Sequence, residues 1–141
     1  MILALSMLLA CTSDDLPSGI DDTQDTQPVR EDLDGPAIEH ELVASPQLVG
    51  EDIFIEAYIT DDTSVLIAAV KYRRQTAEQW ENGSMALIDP ETGLYKGKIS
   101  AADQGSSGMH YYFEAVDTLQ NTSVWPEAAP EEFFKFDLYE E

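Results

Sequence analysis

Residues 35–141 predict an all-β fold of two packed antiparallel sheets with about seven strands. Three observations carry that prediction. Apolar residues recur at every second position along several runs, which places them on one face of a strand. Turn formers (Gly, Pro, Asn and Asp) punctuate those runs at short intervals. No stretch carries apolar residues at the three-and-four spacing of a helix face.

The elements follow in order. Ala37 to Ala44 reads as the first strand, closed by Ser45-Pro46, since proline cannot donate to a ladder. Glu51 to Thr60 alternates cleanly, with Ile53, Ile55, Ala57 and Ile59 on one face and Phe54, Glu56, Tyr58 and Thr60 on the other. Val65 to Arg74 begins apolar on both faces, which fits a central strand with Ala68, Val70 and Tyr72 inward. Asn82-Gly83 reads as a tight turn joining Gln79-Trp80 to Met85–Ile88, because both positions tolerate positive φ. Asp89-Pro90-Glu91-Thr92-Gly93 is the next turn, leading into Leu94–Ser100 with Tyr95 and Ile99 inward. Met109 to Asp117 follows, with Tyr111, Phe113 and Ala115 inward. After the turn Thr118–Asn121 a last strand starts at Thr122, is interrupted by Pro126–Pro130, and resumes from Phe133 to Leu138.

Several of these stretches resemble the immunoglobulin-like and fibronectin type III-like domains of bacterial surface proteins. They are Ile59-Thr60-Asp61-Asp62, Val70-Lys71-Tyr72-Arg73-Arg74, Gly93 to Ile99, and Tyr111 to Asp117 followed by Asn121-Thr122. The resemblance covers roughly residues 35–139. It implies an antiparallel two-sheet immunoglobulin-like sandwich, a fold that hosts many unrelated roles.

Charge excludes some partners. The chain has 141 residues and carries 28 acidic against 7 basic side chains, a formal net charge of −21. Nucleic acid is therefore not expected as a partner, since phosphate binding needs a basic footprint. Direct adhesion to an anionic bilayer is disfavoured for the same reason. Catalytic motifs are also missing from the sequence. His40 and His110 fall in separate predicted strands with no motif around either, and no nucleophile elbow, zinc-protease helix or phosphate loop is present. The expectation is a protein without enzymatic activity.

One constellation invites a metal. In such a sandwich the loop after the second strand and the loop before the last lie at one end, where the chain also enters. That would gather Asp61 and Asp62, Asp117 and Asn121, and the incoming Asp34. Calcium takes six to eight oxygen ligands, which this set could supply, while Asp and Asn also serve as plain turn formers. For partner contact the expected surface is the far end of the domain, with the Asn82-Gly83 and Asp103–Gly108 loops, or the sheet face carrying Phe54, Tyr58 and Trp80.

The first 34 residues are of another kind. Residues 1–11 read Met-Ile-Leu-Ala-Leu-Ser-Met-Leu-Leu-Ala-Cys, an apolar run about half the ~20 residues that a membrane-spanning helix needs. The run fits an export-signal core, or a buried strand or helix with an incidental cysteine. Leu8-Leu9-Ala10-Cys11 resembles the lipobox of bacterial lipoproteins, although no Lys or Arg precedes the apolar run. The resemblance implies removal of residues 1–10, acylation of Cys11 and anchoring in the bacterial envelope. Thr12 after the cysteine fits outer-membrane sorting, and Asp14-Asp15 resembles a surface-export tag. Cys11 is the chain's only cysteine, so no disulfide framework competes for it. Residues 11–34 then form an acidic tether, too polar to offset the entropy of ordering and spanning roughly 25–30 Å as a coil. The expected whole is a lipid-anchored envelope protein presenting an acidic sandwich for structural or adhesive protein contact. The alternatives are a module for an envelope glycan or secreted protein, or a calcium-stabilised accessory subunit.

Overall fold

Ten strands and one short 3-10 turn build residues 33–141, the part of the chain described by the computed structural model. In chain order the first five strands are β1 (Ala37–Glu39), β2 (Gln47–Leu48), β3 (Ile53–Thr60), β4 (Val65–Arg74) and β5 (Glu81–Ser84). Then come β6 (Ala86–Asp89), β7 (Leu94–Ile99), β8 (Gly108–Asp117), β9 (Thr122–Trp125) and β10 (Phe134–Tyr139), with the 3-10 turn Ala101–Asp103 between β7 and β8. The fold is all-β and has two sheets. One holds four strands in the order β1-β3-β7-β6. The other holds six, ordered β2-β10-β8-β4-β5, with β9 also paired to β8.

Alternation in the sequence sets which side chains meet between the sheets. Ile53, Ile55, Ala57 and Ile59 of β3 face inward and are buried, as are Ala68, Val70 and Tyr72 of β4. From β8 they meet Met109, Tyr111, Phe113 and Ala115, all with no exposed surface, and from β10 they meet Phe136 and Leu138. Each large apolar side chain buried this way contributes about 1.5–3 kcal/mol. β4 and β8 pair along nearly their whole length, from Val65↔Asp117 to Arg74↔Met109, and form the centre of the six-stranded sheet. β9 and β10 occupy successive stretches of the other edge of β8, separated by the Pro126–Pro130 interruption.

Four expectations need correction. The first strand does not run from Ala37 to Ala44. It ends at Glu39, and the chain crosses to the other sheet, where β2 lies parallel to β10 (Gln47↔Leu138). The chain changes sheets there without reversing, so this pairing is parallel and the six-stranded sheet is mixed rather than purely antiparallel. Asn82-Gly83 is not a turn either. Asn82 pairs with Lys71 and Gly83 with Val70 inside β5. A Cβ at Gly83 would stand 3.1 Å from the Tyr72 ring and 3.2 Å from a Val70 methyl, so glycine there serves close approach. Instead of a hairpin, the chain leaves the six-stranded sheet at Met85, whose N–H donates to the Ala68 carbonyl at 2.9 Å, and enters the four-stranded one as β6. Sheet changes also explain why ten strands stand where about seven were expected. The turn at Asp89–Gly93 does form, with Gly93 at φ +79° and the Asp89 carboxylate accepting from Glu91 N–H at 2.9 Å.

Candidate functional site

Between Glu39 and Gln47 the chain forms a strap across one open side of the two sheets, and His40 fixes it there. The His40 ring packs against Phe113, Phe134 and Tyr111, with centroids 4.6, 5.2 and 5.4 Å away. Its Nδ1 lies 2.7 Å from the Glu56 carbonyl oxygen, and its Nε2 lies 2.8 Å from the Tyr111 hydroxyl. A carbonyl only accepts, so Nδ1 carries the proton and donates, and in the neutral ring Nε2 accepts from Tyr111. The Tyr111 oxygen in turn accepts from Val43 N–H at 3.4 Å. One imidazole therefore ties the strap to β3 of one sheet and β8 of the other.

Electrostatics agree with a neutral ring. Burial lowers the His40 pKa from its ordinary 6.5, against the opposing effects of the Glu56 bond and the Glu41 charge. Burial pushes the Tyr111 hydroxyl up to about 12, with only partial relief from Val43 N–H. A phenol held there keeps its proton near neutral pH, so the His40–Tyr111 pair positions the strap. Neither histidine motif nor spacing marked His40. The signal was its place on the strap opposite Tyr111, which only the fold reveals.

A groove of about 480 Å³ runs between the strap and β3, lined by His40, Glu41, Asp52, Phe54, Glu56 and Lys96 among others. Phe54 and Tyr58 stand outward from β3 beside it, 56% and 48% exposed. Lys96 Nζ sits 4.8 Å from the Phe54 ring centroid and 3.9 Å from Glu56, while Lys98 lies 3.4 Å from Asp52. These are solvent-exposed pairs of small energetic weight.

Trp80 does not share this face. It precedes β5 on the outer side of the six-stranded sheet, where the Arg73 guanidinium lies 4.2 Å from its ring and Tyr112 meets it edge-on at 4.8 Å. The same guanidinium lies 5.3 Å from Phe133, which stacks on His110 at 4.2 Å. The pairing of Tyr72 with Glu81 draws Trp80 to that sheet, and its neighbours leave it half-buried. The expected three-aromatic face is thus two aromatics on one sheet and one on the other.

The acidic end loops do converge. Thr118 N–H donates to Ser64 O at 3.0 Å, and Asp34, Asp61 and Asp62 line one shallow pocket with Gly35, Ala37 and Thr60. The Asp61 and Asp117 carboxylates serve local turns. Asp61 Oδ2 accepts from Thr63 N–H at 2.9 Å and Thr63 Oγ1 at 2.6 Å. Asp117, fully buried, accepts from Leu119 N–H and Asn121 N–H at 2.8 Å each and from Asn121 Nδ2 at 2.9 Å. Burial acts to raise the Asp117 pKa, but those bonds outweigh it and the pKa falls. Among the described residues no group of three or more His, Cys, Asp or Glu is arranged to hold a metal ion. Of the five residues expected to gather around calcium, Asp34, Asp61 and Asp62 share that pocket, and Asp117 and Asn121 bond to each other. Cys11, the signal segment 1–10 and the tether through residue 32 lie outside the described residues.

No protein-family model matches the chain, and no curated protein matches it either.

Proposed function

We propose that this chain is a non-enzymatic, lipid-anchored protein of a bacterial envelope that presents an acidic immunoglobulin-like sandwich for contact with another protein. The strand order supports the immunoglobulin-like reading. In that reading the order β1-β3-β7-β6 would be one sheet of such a sandwich, and β4, β8 and the β9/β10 edge would be the other. The contact role rests on one observation above others: Phe54 and Tyr58 stand outward beside the groove and keep about half of their surface exposed, although Lys96 lies over the Phe54 ring. Large aromatics held at that exposure are more useful to a partner than to the fold. Lipid anchoring rests on the Leu8–Cys11 sequence, with two or more acyl chains giving stable attachment where one is marginal.

The test joins both parts. A photo-crosslinking residue at position 54 of the full chain in membranes should yield a discrete protein adduct, lost when the crosslinker is moved to buried position 113. Cys11→Ser should move the folded protein into the soluble fraction. Membrane retention of that variant defeats the anchor, and no adduct at position 54 or 58 defeats the contact role.

A further inference from the structure

We infer that the open edge of β3, from Asp52 to Ala57, is a docking strand for an extended basic segment of a partner protein, a deepening that rests on the contact role proposed above. β3 has eight residues, yet β1 pairs only with Tyr58, Ile59 and Thr60 before the chain leaves as the strap. On its other side β3 is paired from Ile53 to Tyr58 with β7. Among the described residues, no strand lies against the β1 side of residues 53–57.

The backbone polarity of that edge can be assigned. Ile59 N–H donates to Gly93 O at 2.9 Å, so the odd-numbered residues of β3 direct their peptide groups toward β7. Even-numbered residues then face the other way, which agrees with the Glu56 carbonyl meeting His40 Nδ1. The Phe54 N–H and C=O and the Glu56 N–H are therefore aimed at the open side. An added strand would lie about 4.8 Å from β3, in the groove that the strap leaves beside it. His40 takes up the Glu56 carbonyl on this edge, so the groups left for a partner are the Phe54 N–H and C=O and the Glu56 N–H.

Side chains choose the occupant. Three carboxylates, Glu41, Asp52 and Glu56, line the groove against one cation, Lys96, which reaches in from β7 and lies 3.9 Å from Glu56, while Lys98 meets Asp52 at 3.4 Å; the lining keeps an excess of negative charge. A second copy of the chain would bring a net charge of −21 to that rim and be repelled. The carboxylates thus guard the edge against self-pairing, a common need of free strands, while favouring a strand with Lys or Arg. Phe54 and Tyr58 offer apolar contact to alternate residues of such a strand. Main-chain bonds would supply affinity and the alternating side chains specificity.

Amide hydrogen exchange of the full chain in detergent tests the inference with three heptapeptides. One alternates Lys and Val, the second alternates Glu and Val, and the third is the Lys–Val peptide with alternate backbone amides N-methylated. The Lys–Val peptide should slow exchange at Phe54 and Glu56 by about tenfold at saturation, the other two should not, and E41Q/E56Q should weaken the effect. Equal protection by the Glu–Val or N-methylated peptide overturns the inference, as does Lys–Val protection confined to other residues or absent. If a position-54 crosslink to a protein persists while none of the peptides protects the edge, docking by strand addition fails and the contact role stands.

Discussion

Tyr111→Phe deletes one oxygen from a fully buried side chain and keeps the ring that packs against Phe113, Phe134 and Phe136. The lost oxygen serves His40 Nε2 at 2.8 Å and Val43 N–H at 3.4 Å. The second bond is long and carries little. The first is a neutral bond worth about 1 kcal/mol net, and leaving its buried partner unsatisfied costs about 1–3 kcal/mol. His40 is only half-buried and water relieves part of that cost, so the expected loss near pH 8 is about 1–2 kcal/mol. At about 4–8 °C per kcal/mol for a small domain, the melting temperature should fall by several degrees or more. The size of the loss depends on pH. Burial lowers the folded-state pKa of His40, so between that value and 6.5 the unfolded chain binds more protons than the folded one. Stability from the neutral ring is present in full above 6.5 and is lost as pH falls through 6.5 toward the folded pKa. A protonated Nε2 no longer accepts from Tyr111, so the wild type loses that bond in acid. The penalty of Tyr111→Phe should therefore be constant above pH 6.5 and shrink as pH falls below it toward the folded pKa. Urea midpoints of both proteins from about pH 8 to about pH 5 measure it. A penalty that stays constant below pH 6.5, or grows there, refutes the assigned direction of the His40–Tyr111 bond.

Two more outcomes follow from the same structure. Phe113→Ala empties the centre of the core, where Phe113 has no exposed surface, and should cost about 3–5 kcal/mol in urea denaturation. Melting temperatures in calcium and in excess chelator should coincide, because Asp61 and Asp117 already spend their carboxylates on their own turns; a calcium-dependent rise would mean that the loops rearrange to bind.

The inward sets of β3, β4 and β8 were legible because strand alternation reports burial directly. Ile53 through Ile59 and Tyr111 through Ala115 needed nothing but period two. The β6–β7 turn was legible because Gly93 requires a positive φ that few other residues adopt. Asn82-Gly83 misled for a related reason. The dipeptide is compatible with a tight turn, but its glycine answers the crowding of Tyr72 and Val70, a demand made by a neighbouring strand. Local propensity cannot distinguish those two uses of glycine.

The groove lay further out of reach, because it exists only where the chain changes sheets. β1 and the strap after it read as one strand, since nothing in residues 40–44 forbids a ladder on β3. What ends β1 is His40, which turns inward to lie 4.6 Å from Phe113 and bonds across to Tyr111, a residue 71 positions later. A side-chain bond to the Glu56 carbonyl thus stands where a backbone ladder would have continued, and the Phe54 N–H and C=O and the Glu56 N–H, which an unbroken first strand would have covered, are left without one. The outward Phe54 and Tyr58 were visible in the alternation, but the bare edge beside them was not. Trp80 failed as their companion for the same reason in reverse: an aromatic in sequence joins whichever sheet its strand pairs with, and pairing to Tyr72 took it to the other side. Faces are therefore written locally along a strand, whereas edges are decided by where the chain leaves, and in this domain the feature most suited to a partner is an edge.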